Sequence, residues 1–227
     1  MGIIGMVVAL EEEVASFLRK QTVDIKEEKK GAFKVLKFRL GNKDVVCVKS
    51  GVGEIFAAAA TQYLITAFDP EFIVNFGVCG SLTPELKTEE VALVKSVVHY
   101  GFDLSQIDHV EVGKDEQFDS VRIPCDEGLL DKVRKISAKP LPEVICASAD
   151  KFVGDNDEKR SLCKTYGASI CEMESAGVLI TCKNAGKPCL IVKAVSDGEG
   201  GAEEFSRLVS SASEKYAGLI TELCNRS

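Results

Sequence analysis

Three groups of acidic side chains, each placed directly after a predicted strand, are the residues of this sequence best suited to chemistry. The run from Glu11 to Glu13 follows the first strand, Glu172 and Glu174 join a strand to a helix, and Asp197 ends the largely apolar run LIVKAVSD. In open α/β sheets, ligands bind beyond the carboxyl ends of the strands, so these acids are expected at one crevice. Carboxyl groups that independent strands supply to one crevice are typical of acid–base catalysis.

Each acidic group also has a simple structural explanation. Asp197 could cap the N-terminus of the segment that follows it, as Asp and Ser often do. Glu174 and the acids at residues 11–13 could stabilise helix N-termini, where negative charge interacts favourably with the helix dipole. Taken singly these explanations are the more frequent ones, but three such groups at one sheet edge favour a catalytic site.

Two glycine-containing segments also follow predicted strands. SGVG at residues 50–53 leads into a helix, and GVCGS at residues 77–81 is expected to form a tight turn. Backbone N–H groups in such turns can hold an anion or a polar ring. Phe56 stands where a dinucleotide fingerprint has its third glycine, and no Gly-Lys-Ser/Thr follows, so neither a dinucleotide site nor a P-loop is indicated. A purely structural role as tight turns remains open for both segments.

The elements that must position these residues alternate between strands and helices. Strands are predicted at residues 3–9, 33–40, 44–49, 72–76, 90–98, 144–147 and 190–195, and helices at residues 11–20, 54–68, 174–184 and 202–223. This alternation is typical of an α/β layer fold, and the turn signal Gly41-Asn42 predicts a hairpin with antiparallel pairing. Residues 103–122 are expected to form a long loop. Because no repeat or linker is evident, residues 1–227 are predicted to form a single domain.

The composition limits the classes of function. A chain of 227 residues with 45% hydrophobic and 28% charged residues is typical of a soluble globular domain. Its net charge of −7 argues against nucleic-acid and anionic-membrane partners. Two histidines and nine cysteines without close spacing predict no metal site and free thiols in a reducing compartment. The N-terminal MGIIGMVVAL lacks the basic residues of a signal peptide, so a cytoplasmic protein is expected.

Six segments in a fixed order resemble a known family. ALEEEV, KSGVG, NFGVCGSL, SADKFV, CEMESAG and KAVSDG are similar to the nucleoside phosphorylase and nucleosidase superfamily, and in particular to the 5′-methylthioadenosine/S-adenosylhomocysteine nucleosidases. The separation of EMES from KAVSD is the most specific part of this resemblance. It implies a three-layer α/β/α sandwich around a twisted mixed sheet, a homodimer, no cofactor, and cleavage of the N-glycosidic bond of a purine nucleoside.

The resemblance also implies roles for individual residues. Asp197 matches the acid that protonates or hydrogen-bonds the purine N7, and Glu13 matches the residue that activates water. Glu174 matches the carboxylate that binds the ribose 2′- and 3′-hydroxyls, with Met173 packed beneath the sugar. Phe152 matches the ring that stacks on the purine. Glycoside cleavage passes through an oxocarbenium-like state, which needs such an acid, such a base and nearby carboxylates.

Five further residues complete the implied substrate site. The backbone of Val153 matches the group that binds the purine edge, and Glu172 and Ser196 adjoin the main carboxylates in sequence. Val78 stands where these nucleosidases usually have Ser or Thr, and Lys193 stands where they often have Arg. Since Lys keeps the charge of Arg but not its planar fork, the placement of the nucleophile is expected to differ.

Two alternatives to a hydrolase remain open from the sequence. A purine nucleoside phosphorylase needs cations for phosphate near the end of the first strand, whereas this chain has acids at residues 11–13, so electrostatics favours water as the nucleophile. A catalytically degraded nucleoside-binding protein is the other alternative, for which Val78 would be one step. The presence of Glu13, Glu174 and Asp197 together argues against it.

Overall fold

The computed structural model describes residues 2–226, which form a mixed β-sheet flanked by helices. The strands are β1 Ile3–Val8, β2 Lys26–Lys30, β3 Phe33–Leu40, β4 Lys43–Lys49, β5 Phe72–Ser81, β6 Val91–His99, β7 Ile123–Pro124, β8 Glu143–Ser148, β9 Ile170–Glu172 and β10 Cys189–Asp197. The helices are α1 Glu11–Arg19, α2 Glu54–Phe68, α3 Ser105–Asp108, α4 Glu127–Ile136, α5 Asn156–Tyr166, α6 Ser175–Asn184, α7 Gly201–Ser213 and α8 Ala217–Arg226. The predicted α/β class with a mixed central sheet is confirmed.

The pairing of the strands brings several carboxyl ends to one edge. β1 pairs in parallel with β4 and β5, and β10 pairs in parallel with β5. β10 also pairs antiparallel with β6, and the sheet continues from β6 through β8 and β9 back to β5. Five strands therefore close into a ring. On the other side of β1, the predicted hairpin of β3 and β4 is present, and β2 adds a further antiparallel strand.

Neighbouring residues of β5 show how the two faces of the sheet are covered. The ring centroid of Phe76 lies 5.3 Å from that of Phe17 in α1 and 5.1 Å from that of Tyr216, between α7 and α8. One residue earlier, the amide oxygen of Asn75 accepts a hydrogen bond from the hydroxyl of Ser175 in α6. Because successive side chains of a strand point to opposite faces, α1 and α6 cover opposite sides of the sheet.

The segment at residues 77–81 is not the tight turn that the sequence suggested, because β5 continues through it to Ser81. Its glycines make room for side chains instead. A Cβ atom at Gly77 would lie 2.5 Å from Oε1 of Glu13, and one at Gly80 would lie 3.1 Å from Oδ2 of Asp197. The two glycines therefore allow β5 to approach both acids closely without bending the chain.

The single helix predicted at residues 202–223 is also wrong. The structure has α7 and α8, separated by residues 214–216. Tyr216 lies in this break and is completely buried, with its ring against Phe76. Burial of this large aromatic side chain against β5 favours the break over a continuous helix.

Several elements were not predicted, among them β2, β7, α4 and α5, and the expected loop at residues 103–122 contains the four-residue α3. The strand expected before Glu174 is the short β9. The nine cysteines are free thiols, and all except the partly exposed Cys163 are buried. None of the helices within residues 2–226 has the length and apolar character that a membrane span requires.

Candidate active site

The acids identified from the sequence meet at one cavity of about 300 Å³ beyond the ends of β1, β5, β9 and β10. Nine of the ten predicted site residues line it: Glu13, Val78, Phe152, Val153, Glu172, Met173, Glu174, Ser196 and Asp197. The tenth, Lys193, is buried behind the cavity and contacts Glu172. The sequence-based grouping of these residues at one sheet edge therefore corresponds to a real enclosure, with apolar walls and carboxyl groups.

Glu13 is fixed by the backbone on both of its carboxylate oxygens. Oε2 accepts hydrogen bonds from the N–H groups of Ala9 and Leu10, at 3.1 and 2.8 Å, and Oε1 accepts one from Val78 at 2.9 Å. Burial raises the pKa of Glu13, whereas these backbone donors act in the opposite direction. Since Oε1 accepts a single bond in this set, it keeps a lone pair with which to take a proton from water.

Glu172 and Lys193 form a buried ion pair that joins β9 to β10, with 2.8 Å between Oε2 and Nζ. The carboxylate also accepts hydrogen bonds from the N–H groups of Glu174 and Ser175, at 3.1 and 3.0 Å, at the N-terminus of α6. Burial raises the pKa of Glu172, but the Lys193 ammonium and the hydrogen bonds outweigh burial and hold the pKa below its usual value. Glu172 is therefore an ionised structural acid.

Glu174 behaves differently from its neighbour. Its Oε1 accepts a hydrogen bond of 2.9 Å from Gly53, and burial together with the charge of Glu172 raises its pKa to about 8. Gly53 has a φ of +107°, which favours glycine, and a Cβ atom there would lie 2.7 Å from Oδ1 of Asp150. That oxygen accepts a hydrogen bond from the N–H of Glu54 at the start of α2. The SGVG segment thus donates a backbone hydrogen bond to Glu174. A carboxyl that keeps its proton can donate to one hydroxyl and accept from another.

Asp197 ends β10 and has a charged partner that the sequence analysis missed. Lys159 of α5 lies 3.1 Å from Oδ2, and the hydroxyl of Ser196 donates to Oδ1 at 3.0 Å. Burial raises the pKa of Asp197, and Lys159 opposes this shift. Lys159 shares the buried face of α5 with Leu162 and Tyr166. That spacing of three and seven residues was a signal that a lysine points inward.

Aromatic side chains close one side of the cavity. The rings of Phe152 and Phe205 meet edge to face, with centroids 5.8 Å apart, and both line the cavity together with Met173. Phe205 belongs to α7, so the first turns of that helix complete the wall. A planar heteroaromatic group fits such a surface, because aromatic rings stack or meet edge to face at these separations.

Buried carboxyl groups, three of them with pKa values raised by burial and close to an aromatic wall, are typical of the active site of an α/β enzyme that uses acid–base chemistry. The chain belongs to the phosphorylase superfamily, whose family model matches residues 3–225. This membership agrees with the resemblance that the sequence motifs indicated.

Individual relatives are similar over nearly the whole chain. A 5′-methylthioadenosine/S-adenosylhomocysteine nucleosidase of a Marinomonas species is 27% identical over 98% of both chains. The aminodeoxyfutalosine nucleosidase of Helicobacter pylori is 30% identical, over 86% of this chain and 85% of the relative. The crystal structure of Helicobacter pylori 5′-methylthioadenosine/S-adenosylhomocysteine nucleosidase with butyl-thio-DADMe-Immucillin-A superimposes with a TM-score of 0.94 at 27% identity, covering 100% of this chain and 99% of the other. The predicted three-layer nucleosidase fold is thus confirmed.

Removal of the Lys193 ammonium leaves Glu172 as a buried charge without its partner. We expect Lys193→Met to lower the free energy of unfolding at pH 7 by about 3–5 kcal/mol, the usual cost of breaking a buried ion pair. Urea denaturation followed by circular dichroism measures this change. Lys187→Met is the matched control, because it removes a solvent-exposed ion pair with Asp69 that contributes at most about 1 kcal/mol.

The difference in the free energy of unfolding between Lys193→Met and the wild type must depend on pH. Because Lys193 holds the folded-state pKa of Glu172 below its usual value, the stabilisation is present above the unfolded pKa of glutamate, about 4.3. It is lost as the pH falls through the lowered folded-state value. The stability deficit of Lys193→Met should therefore be complete at pH 7 and shrink at acidic pH. Equal stability of variant and wild type at pH 7 would contradict a structural role for the pair.

Proposed function

We propose that this protein hydrolyses the N-glycosidic bond of an adenine nucleoside of the 5′-methylthioadenosine/S-adenosylhomocysteine type, releasing adenine and a ribose derivative. One observation carries the proposal: Glu13 and Asp197 line the same cavity, one with an oxygen free to accept a proton and the other with a raised pKa. Membership of the superfamily and the nucleosidase activities named for the relatives support it.

In the proposed reaction, Asp197 is the general acid and Glu13 the general base. Asp197 gives its proton to the purine N7 while the bond between C1′ and N9 breaks and its electron pair moves to the purine. Glu13 takes a proton from the water that adds to C1′. Departure of the base leaves positive charge on the ribose, which buried carboxylates stabilise more strongly than water would.

Four other residues of the cavity are proposed to bind the substrate. Glu174 binds the ribose 2′- and 3′-hydroxyls above Met173, and its raised pKa lets it donate as well as accept a hydrogen bond. Phe152 stacks on the purine, while the backbone of Val153 binds the edge of the ring. Val78 contributes a backbone N–H to Glu13, and no hydroxyl, so the base is oriented without a side-chain donor at this position.

Charge at the cavity favours water over phosphate as the nucleophile. Within the described part of the chain, the one cation that lines the cavity is Lys151, and its ammonium pairs with Glu158 at 2.6 Å. Lys193 is behind the wall and paired with Glu172. A phosphate dianion would therefore meet acidic groups without a free cation to compensate them, which opposes phosphorolysis.

We further propose a homodimer in the cytoplasm that acts in methionine salvage. Val52, Ile55 and Phe56 are large exposed apolar side chains within about one helical turn at the start of α2, next to the site, and Ile107 is exposed as well. Such exposed apolar patches favour association of two chains. The proposed compartment rests on a different observation, since nine free thiols are typical of a reducing environment. Light scattering that gives the mass of one chain at micromolar concentration would refute the dimer.

The proposed activity is tested by a substrate panel in phosphate-free buffer. Methylthioadenosine, adenosylhomocysteine, aminodeoxyfutalosine, adenosine and inosine are incubated separately with the protein, and the released purine is quantified by chromatography. We expect adenine release from at least one 5′-substituted adenine nucleoside, with a free sugar as the second product. Cleavage that begins only when phosphate is added, with sugar 1-phosphate as product, would assign a phosphorylase; binding without cleavage would assign a degraded binding protein.

Asp197→Asn should reduce turnover by about 10²–10⁴-fold or more, because the amide cannot supply the proton that the leaving purine needs. The variant should remain folded by circular dichroism and still bind the nucleoside in calorimetry, since the cavity keeps its shape. Asp157→Asn, the same change at an exposed position of α5, should leave turnover unchanged. Near-native turnover in Asp197→Asn would refute the assignment of Asp197 as the acid.

A further inference from the structure

Lys159 is a buried lysine in contact with the proposed catalytic acid. It is 4% exposed, and its ammonium contacts Oδ2 of Asp197 at 3.1 Å and donates to the carbonyl oxygen of Gly198. On the same helix, Lys164 is exposed, as lysines usually are. A lysine taken out of water needs a charged partner to compensate its lost hydration, and Asp197 is that partner.

The local structure holds Lys159 in this position. Asp155 caps α5 by accepting the N–H of Glu158 at 2.8 Å, which fixes where the helix begins. Leu162 and Tyr166 anchor the same face of the helix in the core. The ammonium reaches Asp197 from behind and is not part of the cavity lining. Lys159 can therefore act on a substrate only through Asp197.

Among the groups that face Asp197, Lys159 is the main one that opposes protonation of the carboxyl, and the hydroxyl of Ser196 adds a smaller effect in the same direction. Burial favours the neutral carboxyl, and so does the negative charge of Glu204 in α7, whose Oε2 accepts the N–H of Gly198 at 2.7 Å. The thiols facing the carboxyl are neutral, because burial raises their pKa values, that of Cys171 to about 12. The uncharged groups facing Asp197 are the hydroxyl of Ser196 and the thiols of Cys79 and Cys171.

We propose that Lys159 is a positioning residue that sets the acid strength of Asp197, an inference that rests on the proposed function of Asp197 as the general acid. When the carboxyl gives its proton to N7 and the glycosidic bond breaks, the carboxylate that forms is already paired with an ammonium. Solvent then returns a proton to Asp197 and removes the one that Glu13 took from water, so the cycle is balanced. Lys159 thus makes Asp197 a stronger acid, at the cost of a smaller protonated fraction at high pH.

The same ammonium also fixes where the carboxyl lies. It also donates to the carbonyl oxygen of Gly198, the next residue, so both Asp197 and the start of the segment that leads to α7 are held by one ammonium. Lys159 holds Oδ2, and the Ser196 hydroxyl lies 3.0 Å from Oδ1 and 3.2 Å from the carbonyl oxygen of Cys79, so both carboxyl oxygens have a partner before a substrate binds. Such preorganisation lowers the reorganisation needed during proton transfer.

The test is the pH dependence of kcat/KM for wild type, Lys159→Met and Lys159→Arg. In the wild type, the alkaline limb contains the loss of the Asp197 proton beside that of the Glu174 proton, whose pKa is about 8, and the acidic limb reports protonation of Glu13. The Asp197 part is the one that should respond to Lys159, because the Lys159 ammonium is in contact with Asp197. Removal of a cation disfavours the carboxylate, so Lys159→Met should move the alkaline limb to higher pH by about 1–3 units and lower the maximum. Lys159→Arg keeps the charge and should restore the position of the limb. The acidic limb should stay in place.

Controls separate this role from a structural one. Lys164→Met removes an exposed lysine from the same helix and should leave the profile unchanged. If Lys159→Met does not fold, Lys159→Gln replaces it, and where turnover is too slow, the pH dependence of adenine binding in calorimetry reports the same ionisation. A lowered kcat with an unmoved alkaline limb in a folded, uncharged variant would overturn the proposal.

The outcomes also distinguish the proposed role of Asp197 from the proposed role of Lys159. Near-native turnover in Asp197→Asn would overturn the assignment of the acid, and with it the role of Lys159. Loss of turnover in Asp197→Asn, combined with an alkaline limb that stays in place without the Lys159 charge, would overturn the role of Lys159 alone. A limb that moves with Lys159→Met and returns with Lys159→Arg supports both.

Discussion

The burial of four carboxyl groups at one edge of the sheet is the constraint on which the site depends, because each buried charge must be compensated or neutralised. The molecule uses three different solutions. Backbone N–H groups satisfy one carboxylate, lysines from neighbouring elements pair with two, and a raised pKa leaves the fourth protonated over part of the neutral range. The four groups are Glu13, Glu172, Glu174 and Asp197.

These solutions assign different properties to residues of one type. Glu172 and Glu174 are two positions apart, yet the lysine behind the first keeps it ionised, and the resulting charge helps the second to keep its proton. For Asp197, burial raises the pKa and the ammonium of Lys159 acts in the opposite direction. The environment built by β5, β9, β10 and α5, rather than the residue type, therefore sets which of the carboxyl groups stay ionised and which are biased towards the protonated form.

Much of this arrangement could be predicted from the sequence, because strand-length apolar runs followed by acids place those acids at a common sheet edge. Lys193, inside such a run, was expected in the substrate site, but it lies behind the cavity and pairs with Glu172, a contact that depends on how β9 and β10 pack. Lys159 was missed because α5, the helix that carries it, was not predicted from the sequence. Gly77 was misjudged because glycine signals a turn locally, whereas here Glu13, distant in sequence, needs the space. Tyr216 broke a predicted helix for a similar reason, since the core that receives it comes from β5.

The ring formed by β5, β9, β8, β6 and β10 limits how the sheets of two molecules can pair with each other. Strands in a ring have partners on both sides, so on the open side of the sheet the outermost strand is β2, whose sequence is KEEKK. A strand made entirely of charged residues is a poor template for another strand, because pairing would bring like charges together and bury them. Edge-to-edge growth into aggregates is thereby discouraged, and association is left to the helical surfaces.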